Sequence, residues 1–371
     1  MNKKLFTPGP LNTSKSVKEE MLQDLGSRDI EFINIVEDVR NNILKLGNVS
    51  KEDGYECVIM QGSGTFGVES VLSSVIGSDD LLLNIINGHY GKRISKICDI
   101  HKINHLDLIF EENEYPDIEL IKQTVNDNKG ITHLSIVHCE TTTGIINPIE
   151  SIAEICKKNN LIFILDSMSI FGAIDINIKD LKIDYLISSS NKCVEGVPGF
   201  SFVIANKQQL LKTKGLARTL SLDLYSQWDG LEKDGQFRFT PPIQVILAFK
   251  KALEELANEG GPLARSLRYK ENANIILKEM KELGFESYLS EDKSSYIINT
   301  FYYPNHPNFN FKTFYNKLND KGYVIYPGKL SEKDTFRIGN IGKLYRKDMY
   351  QLLEAIKVVL DEIIWKRRKI F

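Results

Sequence analysis

Two patterns of apolar and polar positions alternate along the first two thirds of the chain, and their succession predicts an α/β fold. Short, almost wholly apolar runs are typical of strands covered on both faces, whereas a three-to-four-residue spacing is typical of amphipathic helices. Strands are predicted at 55–60, 81–86, 103–110, 132–138, 161–166, 183–187 and 200–205. Helices are predicted at 14–25 and 29–46 and from near residues 66, 117 and 149. This alternation predicts a doubly wound, mostly parallel sheet of the seven-stranded type.

The pattern changes after residue 205, where it predicts a helical region and then a poorly periodic stretch at 221–240. A long helix is predicted at 243–260, and the sequence Gly260-Gly261-Pro262 predicts a hinge. A smaller α+β domain follows, with helices at 263–283, 311–321 and 347–365 and strands at 296–302, 324–325 and 335–338. The predicted organisation is therefore an irregular N-terminal arm at 1–14, a large domain at 15–259 and a small C-terminal domain at 260–371.

Bulk composition narrows the class of protein. The chain has 371 residues, more than one ordinary core holds, and 42% of them are hydrophobic. A formal charge of −2 gives no basic field for nucleic acid or an acidic membrane surface. Five scattered cysteines favour reduced thiols over a disulfide framework. With no signal-peptide pattern and no long apolar window, the sequence predicts a cytoplasmic protein with no partnership to nucleic acid or membrane.

Chemistry-bearing residues follow two of the predicted strands. Lys192 comes after the strand at 183–187, and Asp166 ends the strand at 161–166. Most loop lysines are simply solvated, but an amine at the end of a buried strand also suits a Schiff base with a carbonyl cofactor. Asp166 either caps the next turn or holds the pyridinium proton of such a cofactor.

A glycine-rich turn, Gln61-Gly62-Ser63-Gly64-Thr65, joins the first predicted strand of the sheet to a helix. By itself this sequence is more often only a turn, although exposed N–H groups at a helix start also attract phosphate. The GxGxxG fingerprint is absent and no Walker lysine follows Gly64, which disfavours a nucleotide. A phosphate cradle, a strand-end acid and a loop lysine together are the components of a pyridoxal phosphate site, without a metal.

These residues belong to longer motifs through which nearly the whole chain resembles the class V aminotransferases of fold type I. Within that family the resemblance is strongest to enzymes of aminophosphonate metabolism. The motifs are Thr7-Pro-Gly-Pro-Leu, Gln61-Gly-Ser-Gly-Thr, Asn87-Gly-His-Tyr-Gly-Lys-Arg, Glu140-Thr-Thr-Thr-Gly, Asp166-Ser-Met-Ser, Ser190-Asn-Lys-Cys-Val-Glu-Gly, Ser221-Leu-Asp-Leu-Tyr-Ser-Gln-Trp and Phe336-Arg-Ile-Gly-Asn-Ile-Gly.

The resemblance implies roles for individual residues. Lys192 and Asp166 are expected to be catalytic, and the expected contacts to pyridoxal 5′-phosphate are Ser63, Gly64, Thr65, Tyr90, Thr141, Thr142, Asp166, Asn191 and Lys192. The ring of Tyr90 is expected to cover one face of the cofactor, and one hydroxyl of Thr141, Thr142 or Thr143 to reach its phenolic oxygen or phosphate. Thr240 is expected to reach the cofactor phosphate of the neighbouring subunit in a homodimer.

Arg337 lies in an otherwise apolar predicted strand and needs an anionic partner. The partner is either a structural carboxylate or, as the resemblance implies, the substrate anion. The implied reaction moves the amine of 2-aminoethylphosphonate to pyruvate and gives phosphonoacetaldehyde and alanine. The alternatives are another class V transamination, with alanine or serine as donor and glyoxylate or pyruvate as acceptor, and a non-catalytic module that binds pyridoxal phosphate or a nucleotide.

Three further features receive structural interpretations. His101 and His105 follow Cys98 at a spacing that resembles a metal site, but no fourth ligand is placed. The sequence His138-Cys139-Glu140 resembles a nucleophile beside a base, but neighbours on a strand point to opposite faces. The terminal run Lys366-Arg-Arg-Lys is interpreted as a solvated end.

Overall fold

The computed structural model describes residues 3–328, 330 and 333–365, so the basic run that begins at Lys366 lies outside the described residues. The strands are β1 (Lys4–Leu5), β2 (Tyr55–Gln61), β3 (Leu82–Ile86), β4 (His105–Ile109), β5 (His133–Val137), β6 (Cys139–Glu140), β7 (Ile145–Ile146), β8 (Ile162–Asp166), β9 (Tyr185–Ser189), β10 (Phe200–Asn206), β11 (Ile298–Tyr302), β12 (Tyr323–Val324), β13 (Tyr326–Pro327) and β14 (Thr335–Gly339).

The helices are α1 (Lys15–Glu19), α2 (Ile30–Leu46), α3 (Gly64–Val75), α4 (His89–His101), α5 (Ile118–Asp127), α6 (Ile149–Asn159), α7 (Lys207–Lys212), α8 (Leu224–Asp234), α9 (Ile243–Glu259), α10 (Gly261–Glu282), α11 (Phe311–Asp320) and α12 (Arg346–Leu360). A 3₁₀ turn at Glu20–Leu22 follows α1, and a π-helical turn at Asp361–Trp365 follows α12.

A seven-stranded sheet with the order β2-β10-β9-β8-β5-β3-β4 forms the centre of the larger part of the fold. Strand β10 runs antiparallel to both of its neighbours, and the other pairings are parallel. The carboxyl ends of β2, β3, β5, β8 and β9 therefore meet at one edge, where ligands bind in open α/β sheets. The predicted doubly wound, mostly parallel sheet is confirmed.

A second, three-stranded antiparallel sheet with the order β11-β14-β13 lies in the C-terminal part. Its hydrophobic cluster is rich in aromatic rings and is separate from the cluster around the large sheet. The predicted domain boundary at residue 260 stays a prediction, to which these two clusters add support. At that position Gly260 ends α9 in a left-handed conformation with φ 106°, which glycine adopts without strain.

The N-terminal arm is not wholly irregular, contrary to the sequence prediction. Lys4 and Leu5 pair in parallel with Tyr323 and Val324, so the arm adds a strand to β12. Phe6 is fully buried within the hydrophobic cluster of the C-terminal part. The strand was not apparent in the sequence because only the pairing, more than 300 residues along the chain, defines it.

Three helix predictions were also wrong. Helix α1 ends at Glu19 instead of extending to residue 25, because Leu22 finds no core and remains 84% exposed. Helix α4 was not predicted as a helix at all. Helix α8 was not predicted, since it lies in the stretch that shows poor periodicity. The periodicity is poor because one of the residues that α8 buries is the polar Gln227.

Local capping follows the sequence. Ser14 is the N-cap residue of α1, and its hydroxyl accepts a hydrogen bond from the backbone N–H of Val17 at 3.0 Å. Asp117 accepts from the N–H groups of Glu119 and Leu120. Among the helices of the described residues, none combines the length and the apolar composition that a bilayer crossing requires.

Truncation of Phe336 tests the independent core of the C-terminal part. Its fully buried ring lies 5.4 Å from that of Phe285 and 5.6 Å from that of Phe314, measured between centroids. Phe336→Ala is expected to lower the free energy of unfolding by about 3–5 kcal/mol in a urea titration. The exposed control, Leu22→Ala, is expected to change it by less than about 0.5 kcal/mol. Equal effects of the two variants would contradict this description of the core.

Candidate active site

A cavity of about 200 Å³ lies at the carboxyl edge of the large sheet. Its walls bring together seven predicted site residues: Ser63, Gly64, Thr65, Tyr90, Asp166, Asn191 and Lys192. The remaining four, Thr141, Thr142, Thr240 and Arg337, are not among the residues that line it. The sequence-distant lysine, acid and glycine turn thus share one space because they end parallel strands of one sheet.

Lys192 lies three residues beyond β9, and its amine is directed into the protein. The Nζ atom donates a hydrogen bond to the carbonyl of Pro8 at 2.6 Å, and it forms no ion pair with any carboxylate of the described residues. Burial lowers the pKa of the amine, while Tyr90 and Asp166 partly oppose that effect. A Cβ on Gly9 would lie 2.6 Å from Nζ, so the close approach of the arm requires glycine.

Asp166 ends β8, between β5 and β9, and its side chain is only 6% exposed. The backbone N–H of Met168 donates to Oδ1 at 3.0 Å. Burial raises the pKa of the carboxyl to about 6, and the Met168 N–H, Arg93 and Lys192 hold it below a still higher value. Few groups of the protein therefore stabilise the ionised form of this carboxyl, and a cationic ligand in the cavity would stabilise it further.

The glycine turn ends in the amino terminus of α3, where Ser63 is the N-cap residue. Its side chain makes no capping hydrogen bond, so the hydroxyl and the first N–H groups of the helix are available to an anion. The hydroxyl of Thr65 accepts a hydrogen bond from Arg93 at 2.9 Å. A Cβ at Gly64 would overlap the thioether end of Met168, so glycine there lets the turn pack against that side chain without displacing it.

Arg93 and Glu140 are site residues to which the sequence analysis gave no role. Arg93 lines the cavity, and its guanidinium carbon lies 4.7 Å from the centre of the Tyr90 ring. Glu140 is fully buried and accepts hydrogen bonds from the N–H groups of Gly91 at 2.8 Å and Tyr90 at 3.3 Å, while burial raises its pKa to about 7. The spacing of Tyr90 and Arg93 was the available signal, since residues three apart share a helix face.

The three threonines after β6 differ in their hydrogen bonding. The hydroxyl of Thr142 donates to Oε2 of Glu140 at 3.3 Å, and that of Thr143 donates to the Glu140 carbonyl at 3.4 Å. The buried hydroxyl of Thr141 has no hydrogen-bond partner. Leaving a buried hydroxyl unpaired costs free energy. Among the described residues, Thr141 is therefore the one of the three threonines whose hydroxyl is left to bind another group.

Arg337 lies on β14 and is 1% exposed. Its Nε donates to the Pro327 carbonyl at 3.1 Å, and Nη1 donates to the Thr141 carbonyl at 2.8 Å. It forms no ion pair with a carboxylate within residues 3–328, 330 and 333–365, and burial lowers its pKa, which Tyr90 and Tyr326 partly offset. Arg337 is thus a buried cation close to Tyr90, a residue of the cavity wall, and its hydrogen-bond acceptors among the described residues are backbone carbonyls, which suits an anionic ligand.

Thr240 is exposed, and its carbonyl accepts a hydrogen bond from the side chain of Gln61. Thr240 is not among the residues that line the cavity of its own chain.

The features interpreted as structural have protein partners. His101 contacts Glu69 at 2.7 Å, and the Nδ1 atom of His105 contacts the Ile103 carbonyl. His138 contacts the hydroxyl of Ser167 at 3.0 Å, and burial lowers its pKa to about 3. No cluster of three or more potential metal ligands occurs in the part of the chain that the structure describes.

Comparison with known proteins agrees with the geometry. The profile of the family described as aminotransferase class-V matches residues 13–338. The bifunctional phosphonoacetaldehyde hydrolase/aminoethylphosphonate transaminase of Clostridioides difficile (strain 630) is 49% identical over 96% of this chain, which spans 56% of that protein. The 2-aminoethylphosphonate–pyruvate transaminase of Lysinibacillus sphaericus (strain C3-41) is 48% identical over 96% of this chain and 97% of its own length.

Two solved structures share the fold. Pyridoxamine-pyruvate aminotransferase from Mesorhizobium loti has a TM-score of 0.89 at 24% identity, over 98% of this chain and 93% of its own. Ureidoglycine-glyoxylate aminotransferase from Bacillus subtilis has a TM-score of 0.89 at 20% identity, over 98% of this chain and 94% of its own.

The raised pKa of Asp166 predicts a stability change on substitution. The carboxyl titrates near 6 in the folded protein and near its ordinary value of 3.8 in the unfolded chain. The folded state therefore binds the extra proton between these values, and stability falls as the pH rises through this window. Asp166→Asn removes the ionising group and with it this pH-dependent loss of stability. The cofactor-free variant is therefore expected to be more stable than wild type at pH 7–8, by on the order of 2–3 kcal/mol.

Thermal unfolding of cofactor-free protein from pH 4 to pH 8 measures the effect, and the two curves are expected to converge at the acidic end. If Asp166 only caps the N–H of Met168, Asp166→Asn will be the less stable protein at every pH.

Proposed function

The chain belongs to the class V aminotransferase family, and on that premise we propose that it transfers the amino group of 2-aminoethylphosphonate to pyruvate with pyridoxal 5′-phosphate. The products are phosphonoacetaldehyde and alanine. The observation that carries the proposal is a buried lysine amine and a buried carboxylate facing one cavity at the carboxyl edge of the sheet. The names of the most similar relatives favour this donor over alanine or serine.

The residues present fit pyridoxal phosphate. Ser63, Gly64 and Thr65 offer the N–H groups and hydroxyls of a helix amino terminus to its phosphate. Asp166 offers a carboxylate to the ring nitrogen, and the partnerless hydroxyl of Thr141 offers a hydrogen bond. When bound, the cofactor supplies an electron sink for the amine-bearing carbon of the substrate.

Lys192 is proposed to be the catalytic acid and base. Burial lowers the pKa of its amine, which favours the neutral form that general-base catalysis requires. Its Nζ atom would take the proton from the amine-bearing carbon of the donor and pass it to the cofactor within the same half-reaction, and it would move a proton in the reverse sense in the acceptor half. Asn191 and Tyr90 line the same cavity and are proposed to hold the cofactor in register with that atom.

Arg337 is proposed to bind the substrate anion. Its guanidinium is buried beside the cavity without a carboxylate among the described residues, so the charge remains available to the phosphonate of the donor or the carboxylate of pyruvate. The same arginine then serves both half-reactions. A planar guanidinium contacts either anion through two parallel hydrogen bonds.

A homodimer with shared sites is the proposed assembly. Thr240 is exposed and does not line the cavity of its own chain, which supports a contact to the cofactor phosphate of the partner subunit. Large apolar side chains remain exposed at Phe66, Leu220 and Phe239, at 50%, 74% and 42%. A cytoplasmic location is also proposed, and the five free, buried cysteines support it.

Substitution of Arg337 tests the choice of substrate. Arg337→Lys is expected to lower the rates of both half-reactions roughly thirtyfold or more, because a point charge cannot reproduce the two-pronged contact. Single-turnover absorbance changes of the bound cofactor measure each half separately, with 2-aminoethylphosphonate and with pyruvate. The exposed control, Arg346→Lys, is 65% exposed at its side chain and should leave both rates unchanged. If the wild type reacts far faster with alanine or serine than with 2-aminoethylphosphonate, the phosphonate assignment fails.

Complementation between two inactive variants tests the shared site. Lys192→Ala removes the amine, and Thr240→Asp places a negative charge where the partner's phosphate is proposed to lie. Mixed refolding of the two should restore about a quarter of the wild-type activity, because half of the dimers formed at random carry one intact site of two. No recovery would show that Thr240 acts within its own chain or not at all.

A further inference from the structure

The turn that carries Lys192 is held by a buried ionic cluster that the reaction described above does not use. Glu195, three residues after Lys192, donates its backbone N–H to the Lys192 carbonyl at 2.8 Å. Its Oε1 atom accepts from Arg268 at 2.7 Å and from the hydroxyl of Tyr269 at 2.6 Å. Arg265 also binds the turn, because its Nη1 atom donates a hydrogen bond to the Cys193 carbonyl at 2.6 Å.

The same cluster reaches the segment that follows the Arg337 strand. Nη1 of Arg268 donates to the carbonyls of Gly342 at 2.7 Å and Leu344 at 3.0 Å. The hydroxyl of Tyr269 accepts from the N–H of Gly342 at 3.2 Å. Two side chains of α10 therefore join the Lys192 turn to the chain that leaves β14, on which Arg337 lies.

Three costs at Glu195 indicate that the cluster does more than stabilise the fold. Its backbone has a left-handed φ of 66°, which a non-glycine residue keeps only when its surroundings fix it. Its Oε2 atom is buried and has no hydrogen-bond partner among the residues that the structure describes. Buried ion clusters often add little to stability compared with apolar residues of similar size, because their desolvation is costly.

We propose that Glu195, Arg268 and Tyr269 are positioning residues that fix the Lys192 turn relative to the Arg337 strand. This inference rests on the proposed roles of Lys192 and Arg337. The amine that moves the proton and the guanidinium that binds the anion then keep a constant separation in both half-reactions. Glu259 supports the arrangement by bridging Arg265 and Arg268 at 2.8 and 2.7 Å.

The test compares Glu195→Gln with a matched variant far from the site. Glu56 is also fully buried and pairs with two cations, Lys207 at 2.8 Å and Arg40 at 3.5 Å, so Glu56→Gln removes a comparable charge. Both variants are expected to lose thermal stability. Only Glu195→Gln is expected to lower kcat about tenfold or more, with a smaller change in the KM for either substrate.

A second readout does not depend on turnover. The visible absorbance of the loaded enzyme changes with pH as the Lys192 nitrogen titrates, and Glu195→Gln is expected to shift that midpoint while Glu56→Gln leaves it in place. If Glu195→Gln loses stability but keeps the wild-type kcat and absorbance titration, the cluster is only structural and the proposal is overturned.

Tyr269→Phe keeps the test decisive if Glu195→Gln does not fold. It removes one hydroxyl that joins Glu195 to Gly342 and preserves the buried ring, so the same changes are expected on a smaller scale. Wild-type kcat and titration in Tyr269→Phe would then overturn the proposal. An inactive wild type with 2-aminoethylphosphonate would instead contradict the proposed function, and the absorbance titration would still report on the positioning.

Discussion

The half-buried position of Lys192 at the cavity, with no ion pair to a carboxylate of the described residues, is the constraint on which the rest of the site depends. An ammonium in such a place is expensive, so burial favours the neutral amine, which is the form that acts as nucleophile and base. The Pro8 carbonyl supplies the one hydrogen bond recorded for Nζ, and Gly9 leaves room for it. The N-terminal arm, the turn that carries Lys192 and the cavity therefore all contact the Lys192 amine.

Two buried acids near this amine differ in function because their surroundings differ. Glu140 faces backbone N–H groups at the start of α4 and a threonine hydroxyl, so its charge orients the helix that carries Tyr90. Asp166 has one N–H contact and lines the cavity, so its charge remains directed at a ligand. Burial raises the pKa of both, and their different partner groups support the proposal that Glu140 is structural and Asp166 is chemical.

Local sequence was sufficient for those parts of the site that end a strand. Lys192 and Asp166 were recognisable because each follows an apolar run, and the turn before α3 was recognisable by its glycines. Glu195 could not be assigned, because its partners Arg268 and Tyr269 lie 73 and 74 residues away and sequence spacing does not predict their approach. Helix α8 was missed for a related reason. Gln227 is buried because its amide donates a hydrogen bond to the Ile59 carbonyl, and the polarity of glutamine alone predicts an exposed position.

The pairing of β1 with β12 sets an order of events during biosynthesis. The arm that supplies the Pro8 carbonyl is made before its partner strand, Tyr323–Val324, which lies more than 300 residues later in the chain. Closing so long a loop is entropically costly and slow compared with formation of neighbouring helices. The large sheet can assemble co-translationally while the arm is still unpaired, and the lysine amine acquires its hydrogen bond only afterwards. The hydrogen bond to the Lys192 amine therefore depends on a strand that is made long after the lysine itself.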